Sequence, residues 1–525
     1  MLGNMMEQPL LISSQLEFAA RFHANVEIVT RTVEGPIVRS TWGEVARRAR
    51  QLANALTKLG VQPGDRVATI AWNTQRHLEL YFAVSSMGAV LHTINPRLSP
   101  EQLCYVVDHA DDKVLFFDTT FAKLAELVKS KAPAVVTVEM AAPYEALIAD
   151  EADTFAWPQL DERAASSLCY TSGTSGQPKG VLYSHRSTVL HSYAICMADA
   201  LSLSGADVVL PVVPMFHVNA WGVPYATAMV GAKLVLPGPG LDGKSLTELI
   251  EAEGVNNLLG VPTVWTNLLN HLSATTTTLT TVKKVVIGGS ACPPSMIEAF
   301  ENTHGARVIH AWGMTETSPL GTANMMLPKH AGLAYEHTLP IKLKQGRPIY
   351  GVDMRIVDPD GKVLPHDGKS SGDLQVRGPW VANGYFKTPS PSSFDDGWFI
   401  TGDIATIDED SFMQITDRSK DVIKSGGEWI SSIEVENAIA GHADIAAAAC
   451  IGVTSTKWGE RPLLVVVKAV GKAPTGEALL AFLATKLVKW WVPDAVEFVD
   501  ALPIGPTGKI LKRTLRDSFK DLVLL

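Results

Sequence analysis

Between Ser40 and Gly60 the chain reads STWGEVARRARQLANALTKLG. Its apolar positions recur at helical spacing, behind a Ser/Thr start that can cap a first turn and ahead of a closing glycine, so the segment predicts a helix. Pro63-Gly64-Asp65 then marks a turn, and Arg66 to Trp72 (RVATIAW) is a short apolar run suited to a buried strand. His77 to Gly88 has helical spacing again, and Ala89 to Ile94 is strand-like. Further strand-like runs lie at Lys113 to Asp118, Asp207 to Val213, Lys233 to Leu236 and Lys284 to Gly288, between helix-like stretches. Such alternation predicts layered α/β structure with a largely parallel sheet.

From about Ile349 the segments shorten and β-type turns appear at Asp358-Pro-Asp-Gly361, Pro365-His-Asp-Gly368 and Asp395-Asp-Gly397. The pattern predicts a small antiparallel or barrel-like β subdomain over residues 349–417. Beyond Asp417 mixed strand and helix return, with helices expected at Ile433 to Gly441 and Glu477 to Leu487. The charged stretch DRSKD, Asp417 to Asp421, is the expected boundary between an N-terminal domain, 1–417, and a small α+β C-terminal domain, 418–525. Thr275 to Thr278 reads as a surface loop between a helix and a strand.

Composition narrows the class. A chain of 525 residues with 46% hydrophobic positions can bury a large core in more than one folding unit. Its formal charge of −9, from 45 basic and 54 acidic residues, argues against a nucleic-acid partner, which calls for a basic footprint. The five cysteines, Cys104, Cys169, Cys196, Cys292 and Cys450, are scattered and form no C-x-x-C pair. A disulfide framework or structural zinc site is therefore not expected, and a reducing, cytoplasmic setting is. No apolar run reaches the roughly 18 residues of a membrane span. Met1 to Phe18 carries Glu7 and no basic residue, unlike a signal or transit peptide.

Candidate chemistry concentrates in YTSGTSGQPKG, Tyr170 to Gly180, behind the apolar stretch Ser167 to Tyr170. Thr171, Ser172, Thr174 and Ser175 supply hydroxyl donors. Gly173 and Gly176 let backbone N–H groups approach an anion, and Lys179 adds a charge. The physical reading is a phosphate cradle. It is not a Walker A loop, which needs Ser or Thr after the lysine, whereas Gly180 stands there. GGSAC, Gly288 to Cys292, lacks the second flanking glycine of a hydrolase nucleophile elbow, so Ser290 is not expected to be a nucleophile.

The loop resembles that of the AMP-forming adenylate synthetases: acyl-CoA synthetases, luciferases and the adenylation domains of peptide synthetases. Further motifs of that family follow in order: PMFHVNAWG from Pro214, GGSA from Gly288, AWGMTETSP from Ala311, GWFITGD from Gly397, DRSKDVIKSGGEWISSIEVE from Asp417 and PIGPTGK from Pro503. The resemblance implies a large N-terminal domain of layered α/β subdomains and a small mobile C-terminal domain hinged near Lys420. It implies ATP, Mg²⁺ and CoA as cofactor and co-substrates, and a homodimer. It places Gly289, Ser290 and Ala291 over the purine, with Trp312, Gly313, Met314, Thr315 and Glu316 beside the nucleotide. Trp312 stands where the family more usually has Tyr; its face can stack on adenine, but a phenol hydrogen bond would be missing. Glu316 and Thr171 would contact the metal, Asp403 the ribose hydroxyls, and Arg418 ribose and phosphate. Lys509 would bridge the carboxylate and the α-phosphate during adenylation. His217 and Trp221 would line the acyl site, and Lys424, Ser425, Gly426, Gly427, Glu428 and Trp429 the thiol channel.

The implied reaction has two steps. A carboxylate attacks the α-phosphorus of ATP to give acyl-adenylate and pyrophosphate; the CoA thiol then takes the acyl group and AMP leaves. Trp221, Val223, Pro224, Trp312 and Met314 suggest an apolar, partly filled pocket for a short or medium acyl chain. MLGNMMEQPLLISS and LHTINPRLSPEQ are similar to the branch acting on 3-methylmercaptopropionate, a short thioether acid. Two other classes stay open at this point: an adenylation enzyme that loads a carrier protein, and a non-catalytic nucleotide sensor.

Overall fold

The computed structural model describes residues 1, 3–171, 177–389, 393–426, 428–440, 442–505 and 510–524. Two large sheets face each other across a helical layer. The first has nine strands in the order Arg347–Pro348, Leu320–Ala323, Arg307–Gly313, Lys284–Ile287, Asn257–Gly260, Val208–Pro211, Lys233–Leu236, Glu27–Arg31 and Ile37–Thr41. Its central pairs are parallel, and both edges are antiparallel. The second has six strands in the order Val136–Glu139, Asp112–Phe117, Arg66–Ile70, Val90–Thr93, Ala165–Tyr170 and Gly180–Ser184; all pairs but the last are parallel.

The expected helix forms as Trp42–Lys58, with the Thr41 hydroxyl accepting from Glu44 N. It packs on Gln75–Ser86, which is buried on every side from His77 onward. One apolar cluster joins these helices to inner faces of both sheets, through Ile28, Val209 and Leu234 on one side and Val67, Leu91 and Val114 on the other. A second cluster covers the outer face of the nine-stranded sheet with Gly243–Glu253 and Pro262–Thr275. A third covers the six-stranded sheet with Pro100–Ala110 and Ala122–Lys131. Five layers result, each sheet buried on both faces, as near-continuous apolar strands require. Glu79 lies inside the helical layer, where Arg48, Gln75 and Tyr144 satisfy its carboxylate.

The strands expected after Ile349 form an antiparallel sheet of five, Asp353–Val357, Ser371–Arg377, Phe394–Asp395, Trp398–Ile407 and Met413–Arg418. Of the two forms that the turn spacing allowed it takes the antiparallel one: among the described residues no pairing closes it into a full barrel. Beyond it, a separate six-stranded sheet is built wholly from residues after Asp421, around the long hairpin Ile445–Ser455 and Gly459–Lys468. The helices Ser432–Ile439 and Gly476–Ala484 pack on it. All five cysteines are free thiols. Among the described residues no helix is long and apolar enough to cross a membrane.

Candidate active site

In an α/β sheet the crevice beyond the carboxyl ends of the parallel strands is the natural ligand site. Lys284–Ile287 runs out there into Gly288, Gly289, Ser290 and Ala291, with Gly289 and Ser290 exposed. Its neighbour Arg307–Gly313 delivers Trp312 and leads into a 3-10 turn, Thr315–Thr317, that buries Glu316. From the facing sheet, Ala165–Tyr170 brings in Thr171. Thr171 N donates to Lys179 O at 2.9 Å, and Lys179 N donates back to Thr171 Oγ1 at 3.3 Å. This exchange ties together the two ends of the stretch expected to bind phosphate; Ser172, Gly173, Thr174, Ser175 and Gly176 themselves lie outside the described residues.

Tyr385 ties these pieces together. Its hydroxyl donates to Glu316 Oε1 at 2.7 Å, and Lys179 Nζ stands 4.8 Å from its ring centre. The Tyr183 hydroxyl donates to Thr315 O at 2.6 Å. Sequence reasoning passed over both tyrosines. Tyr385 follows Asn383-Gly384 and precedes Phe386, so it reads as part of a turn and no local signal marks it. Glu316 is 6% exposed, and burial raises its carboxyl above the ordinary range, the Tyr385 hydrogen bond opposing that rise in part. Among the described residues no cation lies within ion-pair distance of it, which leaves a desolvated carboxylate held by Tyr385.

Asp403 and Arg418 are direct partners across the antiparallel strands Trp398–Ile407 and Met413–Arg418. Arg418 Nε lies 2.7 Å from Asp403 Oδ1, and the Asp403 side chain is wholly buried. Trp312 Nε1 donates to Asp403 Oδ2 at 3.0 Å. Trp312 offers no phenol, and the hydrogen bond it does make is this one, from the indole N–H.

The segment PMFHVNAWG adopts an unexpected conformation. Val218, Asn219, Ala220 and Trp221 all have left-handed backbones, with φ of 46°, 49°, 48° and 59°, followed by Gly222 at 74°. L-residues disfavour this by about 1–2 kcal/mol each, so the surroundings must hold it. Asn219 is the anchor: its Nδ2 donates to Ser167 Oγ at 2.9 Å, and its Oδ1 accepts from Cys169 Sγ at 3.3 Å. Burial pushes the Cys169 thiol up to about 11, in keeping with a structural and not a nucleophilic cysteine. The turn lays Trp221 across the strand ends, so close that a Cβ at Gly288 would come 3.2 Å from the indole. His217, half-buried, precedes the turn and lines a small cavity with His92, Asn95 and Tyr170.

The later motif forms the hairpin Ile423–Ser425 and Glu428–Ile430, pairing Lys424 with Trp429. Lys424 is exposed and Trp429 half-buried. Ser425 is wholly buried and accepts from Arg461 Nη1 at 3.2 Å, so it holds the hairpin from beneath. Gly426 has φ of 60°, and a Cβ there would come 2.9 Å from Trp458; only glycine meets both demands. Lys420 lies at the surface between Arg418 and Asp421, whose carboxylate pairs with Arg516 at 2.7 Å. Gly427 and Lys509 lie outside the described residues.

Chain-wide likeness agrees with this layout. The chain belongs to the AMP-binding enzyme family, whose pattern matches residues 16–386, and the family's C-terminal domain pattern matches residues 434–509. It is an AMP-forming acid–CoA ligase with a large N-terminal and a smaller C-terminal domain, and ATP and CoA are its co-substrates. It is 54% identical to a 3-methylmercaptopropionyl-CoA ligase of Ruegeria lacuscaerulensis, over 99% of each chain. It is 52% identical to a medium-chain-fatty-acid–CoA ligase of Ectopseudomonas oleovorans, covering 100% of this chain and 98% of the relative. The fold matches the crystal structure of ATP-bound MatB from Rhodopseudomonas palustris with a TM-score of 0.84 at 26% identity, covering 98% of this chain and 99% of that one.

Proposed function

We propose that the acid activated by this ligase is short or medium in chain length, with 3-methylmercaptopropionate as the first candidate. The observation that carries this reading is the Trp221 indole laid across Gly288 on a left-handed turn, filling apolar room that a long chain would need. A thioether suits such a wall, because sulfur makes favourable contacts with aromatic edges. The names of the two relatives point the same way.

In the proposed site Asp403 accepts from the ribose hydroxyls and Arg418 stands beside ribose and phosphate. Gly289, Ser290 and Ala291 border the purine, with Trp312, Gly313, Met314 and Thr315 along the nucleotide. Residues 171–176 and Lys179 hold the phosphates. Glu316 and Thr171 fit a Mg²⁺ ion that keeps most of its ligands on the substrate: one buried carboxylate lacks a cation partner, and among the described residues no three His, Cys, Asp or Glu side chains gather into a protein cage. Such an ion would offset charge on the phosphate oxygens. Tyr385 orients the Glu316 carboxylate, while Lys179 sets a positive charge beside the loop.

The chain divides, in this proposal, into 1–417 and 418–525 about Lys420. One face of the smaller part presents Lys509 for adenylation; the other presents the 424–429 hairpin beside the pantetheine arm of CoA. A homodimer and a cytoplasmic location belong to the same reading, the second supported by five free thiols.

A panel of carboxylic acids with ATP and CoA, read as AMP and thioester release, tests the substrate. The highest kcat/KM is expected for short and medium acids, with the thioether acid leading; a long-chain optimum overturns the reading. Trp221→Ala should move that optimum toward longer acids by opening the space the indole fills. An unchanged ranking with uniformly lower turnover would make Trp221 a core residue alone.

A further inference from the structure

Trp312 is held with unusual strictness. It precedes a register shift in the pairing of Arg307–Gly313 with Leu320–Ala323. Its six-membered ring lies against Gly321, where a Cβ would come 2.4 Å from Cζ3, so the indole occupies the space of the missing side chain. Its N–H then has one destination, Asp403 Oδ2 at 3.0 Å. Arg418 Nε holds the other oxygen at 2.7 Å, and Asp403 N is tied to Thr401 Oγ1 at 3.0 Å. An ionised carboxylate has about four lone-pair positions. The indole takes one position on Oδ2, while the guanidinium meets Oδ1 as an ion pair without a hydrogen bond, so acceptor capacity remains on both oxygens and the indole N–H is the one hydrogen bond among the described residues that orients the carboxylate.

We propose that Trp312 is a positioning residue for nucleotide recognition: its indole N–H orients Asp403 toward the ribose 2′- and 3′-hydroxyls and so sets the preference for a ribonucleotide over a deoxyribonucleotide. This rests on the assignment of Asp403 to the ribose. The adenine ring gains nothing from the indole N–H, so stacking and orientation are separable. Phe keeps an aromatic face and removes the donor. Oδ2 is then buried without its partner, and the carboxylate is free to turn about Cβ–Cγ or to draw in water.

The test compares kcat/KM for ATP with that for 2′-deoxy-ATP and 3′-deoxy-ATP in pyrophosphate release, for wild type, Trp312→Phe and Asp403→Asn. All three nucleotides carry the same base and are read on the same folded fraction, so stacking losses and partial unfolding cancel in the ratios. A hydrogen bond to a charged group contributes about 1.5–3 kcal/mol, so the ratio in Trp312→Phe should fall about 10-fold or more. Gly321→Ala, which displaces the indole without changing any donor, should lower the ratio in the same direction and serves if the Phe variant does not fold. An unchanged ratio in Trp312→Phe, or in Gly321→Ala if that variant is the one used, together with a reduced ratio in Asp403→Asn, overturns the positioning role alone. An unchanged ratio in Asp403→Asn overturns the ribose assignment beneath it.

Discussion

Lys509→Ala should slow acyl-adenylate formation by about 100-fold or more, the usual cost of removing one group aimed at developing transition-state charge. Thioester formation from preformed acyl-adenylate and CoA should stay near the wild-type rate. In the first half-reaction two anions meet, and a cation that bridges the carboxylate and the α-phosphate lowers the barrier directly. In the second the carboxyl group is already activated, and the proposed domain face turned to the site is the 424–429 hairpin. The substitution should be silent in the fold. Ile504 and Ile510 pair across the base of the lysine loop. Lys512, just beyond it, is anchored by Ser432 Oγ at 2.6 Å and Glu436 Oε1 at 2.8 Å. Gly427→Trp should give the reverse result, because the proposal sets the 424–429 hairpin beside the thiol route, where an added indole would obstruct CoA. Rapid-quench measurement of each half-reaction reads both variants. Equal impairment of both steps by Lys509→Ala in a folded protein would end the two-face assignment.

What the sequence carried and what it withheld follow from the range of the forces involved. The helix at Trp42–Lys58 and the strands at Arg66–Ile70 and Lys284–Ile287 are written in local apolar spacing and turn residues, so they are legible without a partner. The motif positions were legible for the same reason, being contiguous in the chain. The left-handed turn at Val218–Trp221 was not. In VNAW only Asn219 tolerates positive φ readily, and it alone does not announce four such residues; the turn exists because Asn219 reaches Ser167 and Cys169, about fifty residues earlier in the chain. Tyr385 was hidden likewise, since its meaning comes from Glu316 and Lys179, which only the fold brings to it. Antiparallel sheet and barrel-like shape stayed open together after Ile349, because turn spacing counts strands but does not say whether the last pairs with the first.

That contrast also explains why the indole of Trp312 reads differently in sequence and in space. By composition it is a large aromatic in place of a smaller one, suited to stacking. In the fold, Gly321 removes the Cβ that would have blocked it, and Asp403 waits at its polar edge. An indole in place of a phenol thus brings its own donor, and Oδ2 of the buried carboxylate has a partner.

Glu316→Gln should separate function from stability in opposite directions. The amide keeps the shape and can still accept from the Tyr385 hydroxyl, so the 2.7 Å contact survives. It lacks the negative charge proposed to face the metal and phosphates, so acid-dependent pyrophosphate exchange should fall by about 100-fold or more. Without ligands the variant should be at least as stable as the wild type. Burial raises the Glu316 carboxyl in the folded state, so the native protein binds its proton more tightly than the unfolded chain does. The stability cost of ionising it is absent below the ordinary carboxylate range of about 4.3. It grows as pH rises through the interval up to the raised folded-state value and is complete above it. The difference in melting temperature, Glu316→Gln minus wild type, should therefore grow in favour of Gln from pH 4 toward neutrality. Mg-ATP should reverse it, because a ligand that binds the folded state through that charge stabilises only the wild type. Thermal scans across pH, with and without Mg-ATP, check both halves. A Gln variant that loses stability at neutral pH and keeps normal pyrophosphate exchange would show that Glu316 serves the fold and not the chemistry.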